Sequence, residues 1–440
     1  MLKKNPYVLK QFNPEGDLVI VDMYHNSILK ADREKAVAFS KAIDELDGES
    51  DILDVLMEKK ILYRDEETHI KGYDELYDEF LRLRSEELHL ILLPTEGCNF
   101  RCMYCYESHD NHVMSKELQD SIVSFVKKNI QKYKAVRIEW FGGEPLCQVQ
   151  IVDSLTEQIR AVCKEAKKPF LASMTTNGYL LDLETCKRMI RKNKIVSYQI
   201  TLDGLADTHN VQRPLANKEG TFDTVLHNLQ MIRDNVKSQF FQITIRCNIT
   251  KKVMEHFGEY LDLLYKEFGG DNRFTFSWKI AWEPENKTDE KYCEESEFGK
   301  TLSLAKDRKM RLDFIRGSLT RYGRICYASF PGCFVIGADG TVYKCTVEFD
   351  APENQIGKLG QDGIMEIDER KRCRWDGKVE ADDLQKCKEC SNAPACMGIS
   401  CRRSCKNKEN QIVCPDYFSH LESMVNIISN YEEYVEMIGV

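Results

Sequence analysis

Pro94-Thr95-Glu96-Gly97-Cys98-Asn99-Phe100-Arg101-Cys102-Met103-Tyr104-Cys105-Tyr106-Glu107 places three cysteines in eight residues, spaced C-x3-C-x2-C. Three thiolates in one tight loop suit three irons of a cubic [4Fe–4S] cluster and leave the fourth iron without a protein ligand. An open iron can take a small chelate, and the amino and carboxylate groups of S-adenosylmethionine (SAM) fit that need. By spacing alone, a zinc knuckle short of one ligand competes equally. Position decides between them. The loop directly follows an apolar run, Leu88–Leu93, that reads as a strand. Barrel active sites are built at the C-terminal ends of such strands.

Outward from the loop, the strand is the first of a series. Strand-like runs recur at Val136–Phe141, Phe170–Thr175, Val196–Leu202, Phe240–Arg246 and Phe274–Ile280. Helix-length amphipathic stretches follow each in turn: Lys116–Tyr133, Val149–Lys167, Leu183–Asn193, Thr221–Val236, Val253–Phe268 and Glu294–Lys309. Six β-then-α units predict a parallel sheet with right-handed crossovers. Six is short of the eight that close a full barrel. The expected fold is α/β, a partial (β/α)6 TIM-like barrel over residues 86–310.

The flanks differ. Residues 1–85 lack cysteine and read as a strand (Leu18–Met23), then helices at Glu34–Leu46, Ile52–Glu58 and Asp74–Arg84, a small α+β, winged-helix-like module. Residues 311–415 lose the alternation and are rich in Cys, Gly and charge, with a hairpin signal at Ala338-Asp339-Gly340. That region lacks the periodicity for its own core, so metal centres are expected to hold it together. A closing amphipathic helix, Tyr417–Val435, is expected within 416–440.

Eighteen cysteines, none before Cys98, argue for metal rather than a disulfide framework in a chain with no export signal. No run reaches the roughly 20 apolar residues of a membrane span. A net charge of −9 gives no reason to expect nucleic-acid binding. A cytoplasmic location is the default expectation.

The run CNFRCMYCYE resembles the signature of the radical SAM superfamily, and the resemblance extends strand by strand over about residues 88–310. It implies that Gly142-Gly143-Glu144-Pro145, after the second strand, receives the amino group of SAM through backbone oxygens and the Glu carboxylate. Thr175-Thr176-Asn177-Gly178, after the third, matches the family's T-N-G turn near SAM. Asp203, after the fourth, lies near the ribose or simply caps its turn. Arg213, in His209-Asn210-Val211-Gln212-Arg213-Pro214, pairs with the SAM carboxylate, a sound role for a bidentate guanidinium. Tyr104 lies by the adenine or packs on the cluster. Arg246 and Asn248 sit two apart on the fifth strand and face one side. An Arg is costly to bury unpaired, so that side is read as the site.

The C-terminal cysteines resemble the SPASM extension found on one branch of that superfamily, which carries two auxiliary [4Fe–4S] clusters. The resemblance assigns Cys326, Cys333, Cys345 and Cys401 to one cluster and Cys387, Cys390, Cys396 and Cys414 to the other. The spacing before Cys401 is x4 where the family has x3, and Cys405 is the substitute. Two structural zinc sites are the alternative. Cys147, Cys163, Cys186, Cys247, Cys293 and Cys373 have no ligand spacing.

SPASM enzymes mostly modify peptides or proteins. The resemblance implies an oxidoreductase that abstracts hydrogen from a ribosomally made precursor peptide and forms an intramolecular cross-link, with a thioether preferred. An auxiliary cluster would accept the second electron or ligate a substrate Cys thiolate. A flavodoxin or ferredoxin would supply electrons, and residues 1–85 would capture a leader peptide by strand addition. The alternatives are formylglycine formation in sulfatases, epimerisation, and a non-enzymatic zinc-stabilised binding protein. Sulfatase maturases carry an Asp directly after the G-x4-C cysteine. Here that residue is Thr346, which counts against them, although Glu348 or Asp350 can substitute.

Overall fold

The structure, a computed structural model, describes all residues except 65–69, 239, 282–292, 294–296, 309, 377–383, 402–413, 415–419 and 440. The chain divides into two compact units. One comprises Met1–Arg82, Ala305–Cys326 and Lys378–Val440; the other comprises Leu83–Leu304 and Tyr327–Gly377. The units therefore interleave segments that follow one another in the sequence.

In the first unit, β1 (Leu2–Lys4) pairs antiparallel with β5 (Leu62–Arg64). A separate meander joins β2 (Val8–Phe12), β3 (Leu18–Asp22) and β4 (Ser27–Ala31). All five residues of β3 are buried, and β3 is hydrogen-bonded to a neighbour on either side. Helices Arg33–Glu45 and Ser50–Glu58 lay Ala36, Phe39, Ile43, Ile52 and Leu56 onto Leu18, Ile20 and Leu29. The helix Tyr73–Ser85 follows.

The second unit holds the expected parallel series. Its strands are β6 (Glu87–Leu92), β7 (Ala135–Trp140), β8 (Phe170–Thr176), β9 (Ile195–Thr201), β10 (Gln242–Ile249) and β11 (Phe274–Ile280), and neighbours pair in parallel. The fifth strand starts two residues later than expected, and Phe240 is 88% exposed. Burial alternates along β7 and β10. Val136, Ile138 and Trp140 are buried, as are Ile243, Ile245, Cys247 and Ile249. Arg137, Glu139, Thr244, Arg246 and Asn248 occupy the opposite face and stay partly accessible. Side chains alternate faces along a strand, so this sheet has one apolar face for helices and one polar face for chemistry.

One feature departs from the expectation that metal alone organises the Cys-rich region. β12 (Cys333–Ile336) pairs parallel with β6 and extends the sheet. β13 (Thr341–Tyr343), β14 (Gln355–Leu359) and β15 (Met365–Ile367) continue it antiparallel, making ten strands among the described residues. The turn at Ala338-Asp339-Gly340 joins β12 to β13, with Gly340 at φ +87°. These short strands borrow an existing sheet instead of building a core.

The first unit closes with helix Leu421–Ile428 and with β16 (Glu436–Ile438), which pairs parallel with β4. The closing helix is thus shorter than Tyr417–Val435; residues 417–419 lie outside the described set. Beyond Ile428 the chain turns through stacked Tyr431 and Tyr434, whose hydroxyl donates to Asp313 Oδ1 at 2.6 Å. Pairing with β4 then holds the tail extended.

Candidate active site

The cysteine loop runs from the end of β6 and is anchored on two sides. On one, Arg101 N–H donates to Pro214 O at 2.9 Å and Met103 N–H to Gln212 O at 3.0 Å. On the other, the Gly142-Gly143 turn after β7 presses against it. A Cβ on Gly143 would lie 2.3 Å from Gly97 O, and one on Gly142 would lie 2.6 Å from Thr95 O. Gly142 also has φ +108°, which favours glycine. Only two glycines let these backbones approach this closely.

Glu144 is wholly buried. Its Oε1 accepts from Thr176 Oγ1 at 2.7 Å and Leu146 N–H at 3.0 Å, and its Oε2 accepts from Asn177 N–H at 2.7 Å. Burial raises its pKa, and these three donors oppose the shift. The carboxylate ties the turn after β7 to the turn after β8, and Pro145 opens the short helix that follows. Asn177 then reaches the loop, donating to Asn99 Oδ1 at 2.8 Å, with its Nδ2 3.9 Å from Cys98 Sγ. Asn99 gave no signal beyond its place inside the motif.

A second network lies on the other flank. Tyr104 O–H donates to Asp203 Oδ2 and accepts from Arg213 at 2.6 Å and Asn248 Nδ2 at 3.1 Å. Asp203 Oδ1 accepts from Asn248 N–H at 2.7 Å. Burial raises the Asp203 pKa, while Arg213 pulls it down. Arg213 stacks its guanidinium 5.5 Å over Phe100. Arg246 contacts Asn248 Oδ1 at 3.4 Å, and burial lowers its pKa. Tyr104, Asp203 and Arg246, read from separate segments, thus converge on Asn248, and Arg213 joins them through the Tyr104 hydroxyl.

The three thiols suit an iron–sulfur centre. They are three soft donors in one loop, and burial drives the Cys98 thiol up to about 12, with Glu144 and then Cys102 and Cys105 adding to the rise. Burial also raises the Cys102 thiol, and the Cys105 thiol to about 11, while Arg213 opposes the rise at both. Phe100 N–H donates to Cys98 Sγ at 3.3 Å.

Residues 92–264 match the radical SAM superfamily. This is a radical SAM domain. The chain is 24% identical to cysteine-type anaerobic sulfatase-maturating enzymes of Clostridium perfringens and Clostridium novyi. These matches span 75% and 78% of this chain and 93% and 96% of those enzymes. Its fold matches native anSMEcpe with bound AdoMet and Cp18Cys peptide at TM-score 0.60 and 19% identity, covering 78% of this chain and 97% of that one. It also matches Streptococcus suis SuiB bound to precursor peptide SuiA at TM-score 0.50 and 16% identity, covering 94% and 98%. The radical SAM domain makes the chain an enzyme that uses SAM and a [4Fe–4S] cluster. Among the described residues no helix is long and apolar enough to cross a membrane.

The remaining cysteines fall in both units. Cys326, Cys387, Cys390, Cys396, Cys401 and Cys414 belong to the first; Cys333 and Cys345 belong to the second. Cys405 lies outside the described residues. Burial raises the Cys390 thiol pKa, and Cys414 contributes to the shift. Cys345 Sγ accepts from Val347 N–H at 3.4 Å. Cys163, Cys186, Cys247 and Cys293 are buried, whereas Cys147 and Cys373 are exposed.

Sequence reading missed two supports of this region. Buried Asn354 accepts from Lys344 N–H and Cys345 N–H at 3.1 and 2.8 Å and donates to Cys345 O and Glu348 O, both at 2.9 Å. A polar ladder also crosses four neighbouring strands. Cys333 Sγ lies 3.6 Å from His89 Nδ1, His89 Nε2 3.6 Å from Glu139, and Thr175 Oγ1 donates to Glu139 at 3.4 Å. Burial opposes charge on His89, but Cys333 and Glu139 prevail and raise its pKa to about 10. No spacing rule pairs residues this far apart in sequence.

Proposed function

We propose that this enzyme is a peptide maturase that abstracts hydrogen from a ribosomally made precursor peptide and closes an intramolecular cross-link, a thioether. The observation that carries the reading is the Cys98–Cys105 loop clamped between the Glu144 and Tyr104 networks. The cluster and SAM, when bound, supply reductive cleavage to a 5′-deoxyadenosyl radical. Cys98, Cys102 and Cys105 would hold the cluster. The turn after Trp140 would meet the SAM amino group through backbone oxygens and the Glu144 carboxylate, whose three donors Thr176, Leu146 and Asn177 leave an acceptor site on Oε2. Arg213 would meet the carboxylate, Asp203 the ribose, and Tyr104 the adenine. The polar face carrying Glu139, Thr175 and Arg246 would receive the peptide.

The product is two hydrogens lighter than the precursor. One leaves as the abstracted atom, the other as a thiol proton with one electron. We assign Cys326, Cys333, Cys345 and Cys401, and Cys387, Cys390, Cys396 and Cys414, to the auxiliary clusters that would take that electron. A flavodoxin or ferredoxin would reduce the enzyme in the cytoplasm.

Peptide substrates are supported by relatives that act on or bind them: sulfatase-maturating enzymes, anSMEcpe with its peptide and SuiB with SuiA. The first group favours formylglycine formation as a second reading. Thr346 weighs against it. This hydroxyl lies 2.6 Å from Tyr327 O–H, where those maturases carry a carboxylate. Co-expression with a short Cys-containing peptide, should one be encoded beside the enzyme, followed by mass measurement, tests the proposal. A loss of two hydrogens per link, with 5′-deoxyadenosine formed from SAM and dithionite, is expected. Conversion of a sulfatase Cys or Ser to formylglycine would replace it with the second reading. Bound zinc without 5′-deoxyadenosine would overturn both.

A further inference from the structure

His89 on β6 and Cys333 on β12 stand opposite each other in the parallel sheet. Cys333 Sγ lies 3.6 Å from His89 Nδ1, within reach of a bond to sulfur, and both residues belong to the second unit, as does Glu139. Side chains alternate along a strand, so His89 shares a face with Ile91 and Leu93, which pack with Cys333 and Val335. His89 is 8% exposed. A polar ring in such a setting costs free energy unless its nitrogens are matched. Two acceptors flank it. One is the sulfur at Nδ1. The other is the Glu139 carboxylate, 3.6 Å from Nε2, a nitrogen that makes no hydrogen bond among the described residues.

The backbone of Cys333 is fixed without His89. Its N–H donates to Phe330 O at 3.0 Å, and its carbonyl accepts from Lys344 Nζ at 3.0 Å. What His89 adds therefore falls on the sulfur. In the β12–β13 pair Val335 lies opposite Tyr343. Cys333 and Cys345 each stand two residues further toward the same end of that hairpin. Both are buried and unbridged, which suits iron–sulfur ligation.

We propose that His89 tunes the auxiliary cluster assigned to Cys333: its Nδ1–H donates to the Cys333 sulfur and raises the reduction potential, while Glu139 holds the ring from the polar face. An N–H bond to a ligand sulfur stabilises the added negative charge of the reduced form. A higher potential favours uptake of the electron that leaves with the substrate's thiol proton. His89 is thus a positioning residue that acts through Cys333. The inference deepens the maturase reading and rests on its assignment of Cys333.

The test uses the full chain with Cys98, Cys102 and Cys105 changed to Ala, reconstituted anaerobically so that the auxiliary clusters alone are loaded, and a redox titration followed by electron paramagnetic resonance. His89→Phe removes both ring nitrogens and should lower the midpoint of one auxiliary cluster while leaving the other in place. His89→Asn keeps an N–H near the position of Nδ1 and should recover part of the loss. Unchanged midpoints in His89→Phe, or an equal fall in both, overturn the proposal. If His89→Phe loses iron, isotope labelling of histidine nitrogen decides. Pulsed resonance of the reduced clusters should show a histidine nitrogen coupling that disappears in His89→Asn, and a coupling that is absent or persists there overturns the proposal. A background chain that loads fewer than about eight irons removes the cluster assignment and this inference with it. About eight irons with unchanged midpoints removes the role of His89 alone.

Discussion

Gly143 has the least freedom of any residue in the site. Its missing Cβ would sit 2.3 Å from Gly97 O and 2.5 Å from Glu96 O, both backbone atoms of the cysteine loop. Gly143→Ala must push the turn and the loop apart. A displacement near 1 Å can lower a rate on the order of 100-fold, and a fall of that order is expected in 5′-deoxyadenosine formed from SAM and dithionite. Glu144 behaves differently. Glu144→Gln keeps its size but not its acceptors. Whichever way the amide turns, one NH2 faces a backbone N–H, of either Asn177 or Leu146. A buried unmatched donor costs about 1–3 kcal/mol. A lower melting temperature with weaker SAM binding in equilibrium dialysis is expected, and an unchanged melting temperature would contradict this geometry. Both residues were legible as a G-G-E-P turn. That Glu144 braces the next turn was not, because the bond joins residues 32 positions apart.

Among the elements, the β13–β14 connection depends most on a single side chain. Asn354 makes four hydrogen bonds that fix the backbone around Cys345. Asn354→Ala should lower stability by about 2–4 kcal/mol at roughly 1 kcal/mol per bond, read by urea unfolding of the metal-free chain. Asn354→Asp keeps the acceptor and loses the two donors, so about half that loss is expected. Equal losses for the two variants would show that the two accepted bonds contribute nothing. The connection also carries Lys344, fully buried, whose Nζ donates to Phe330 O at 2.8 Å and Cys333 O at 3.0 Å, with Asp376 at 3.3 Å. A sequence shows only a Lys before a Cys. Its burial follows from β12 joining the sheet beside β6.

At the scale of the whole molecule, the three cysteine groups give a stoichiometric prediction. Anaerobic reconstitution with iron and sulfide should load about twelve irons per chain if three cubes form. Replacing Cys98, Cys102 and Cys105 together by Ala should leave about eight and abolish SAM cleavage. A wild-type chain that loads only about four irons would remove the auxiliary clusters from the proposal.

The sequence by itself determined the radical SAM loop, the six βα repeats and the turns that follow their strands. These are local signals, carried by cysteine spacing, glycine pairs and hydrophobic period, and local physics suffices to read them. Tertiary structure alone decided that β12 extends the sheet beside β6, that β16 covers β4, and that Tyr104, Asp203 and Arg246 meet at Asn248 while Arg213 joins them through Tyr104. Backbone pairing is almost blind to side-chain identity, so a three- or four-residue strand carries too little pattern to name its partner. Buried polar groups must find partners wherever the fold brings them. Which partners they find is settled only when the strands are in register.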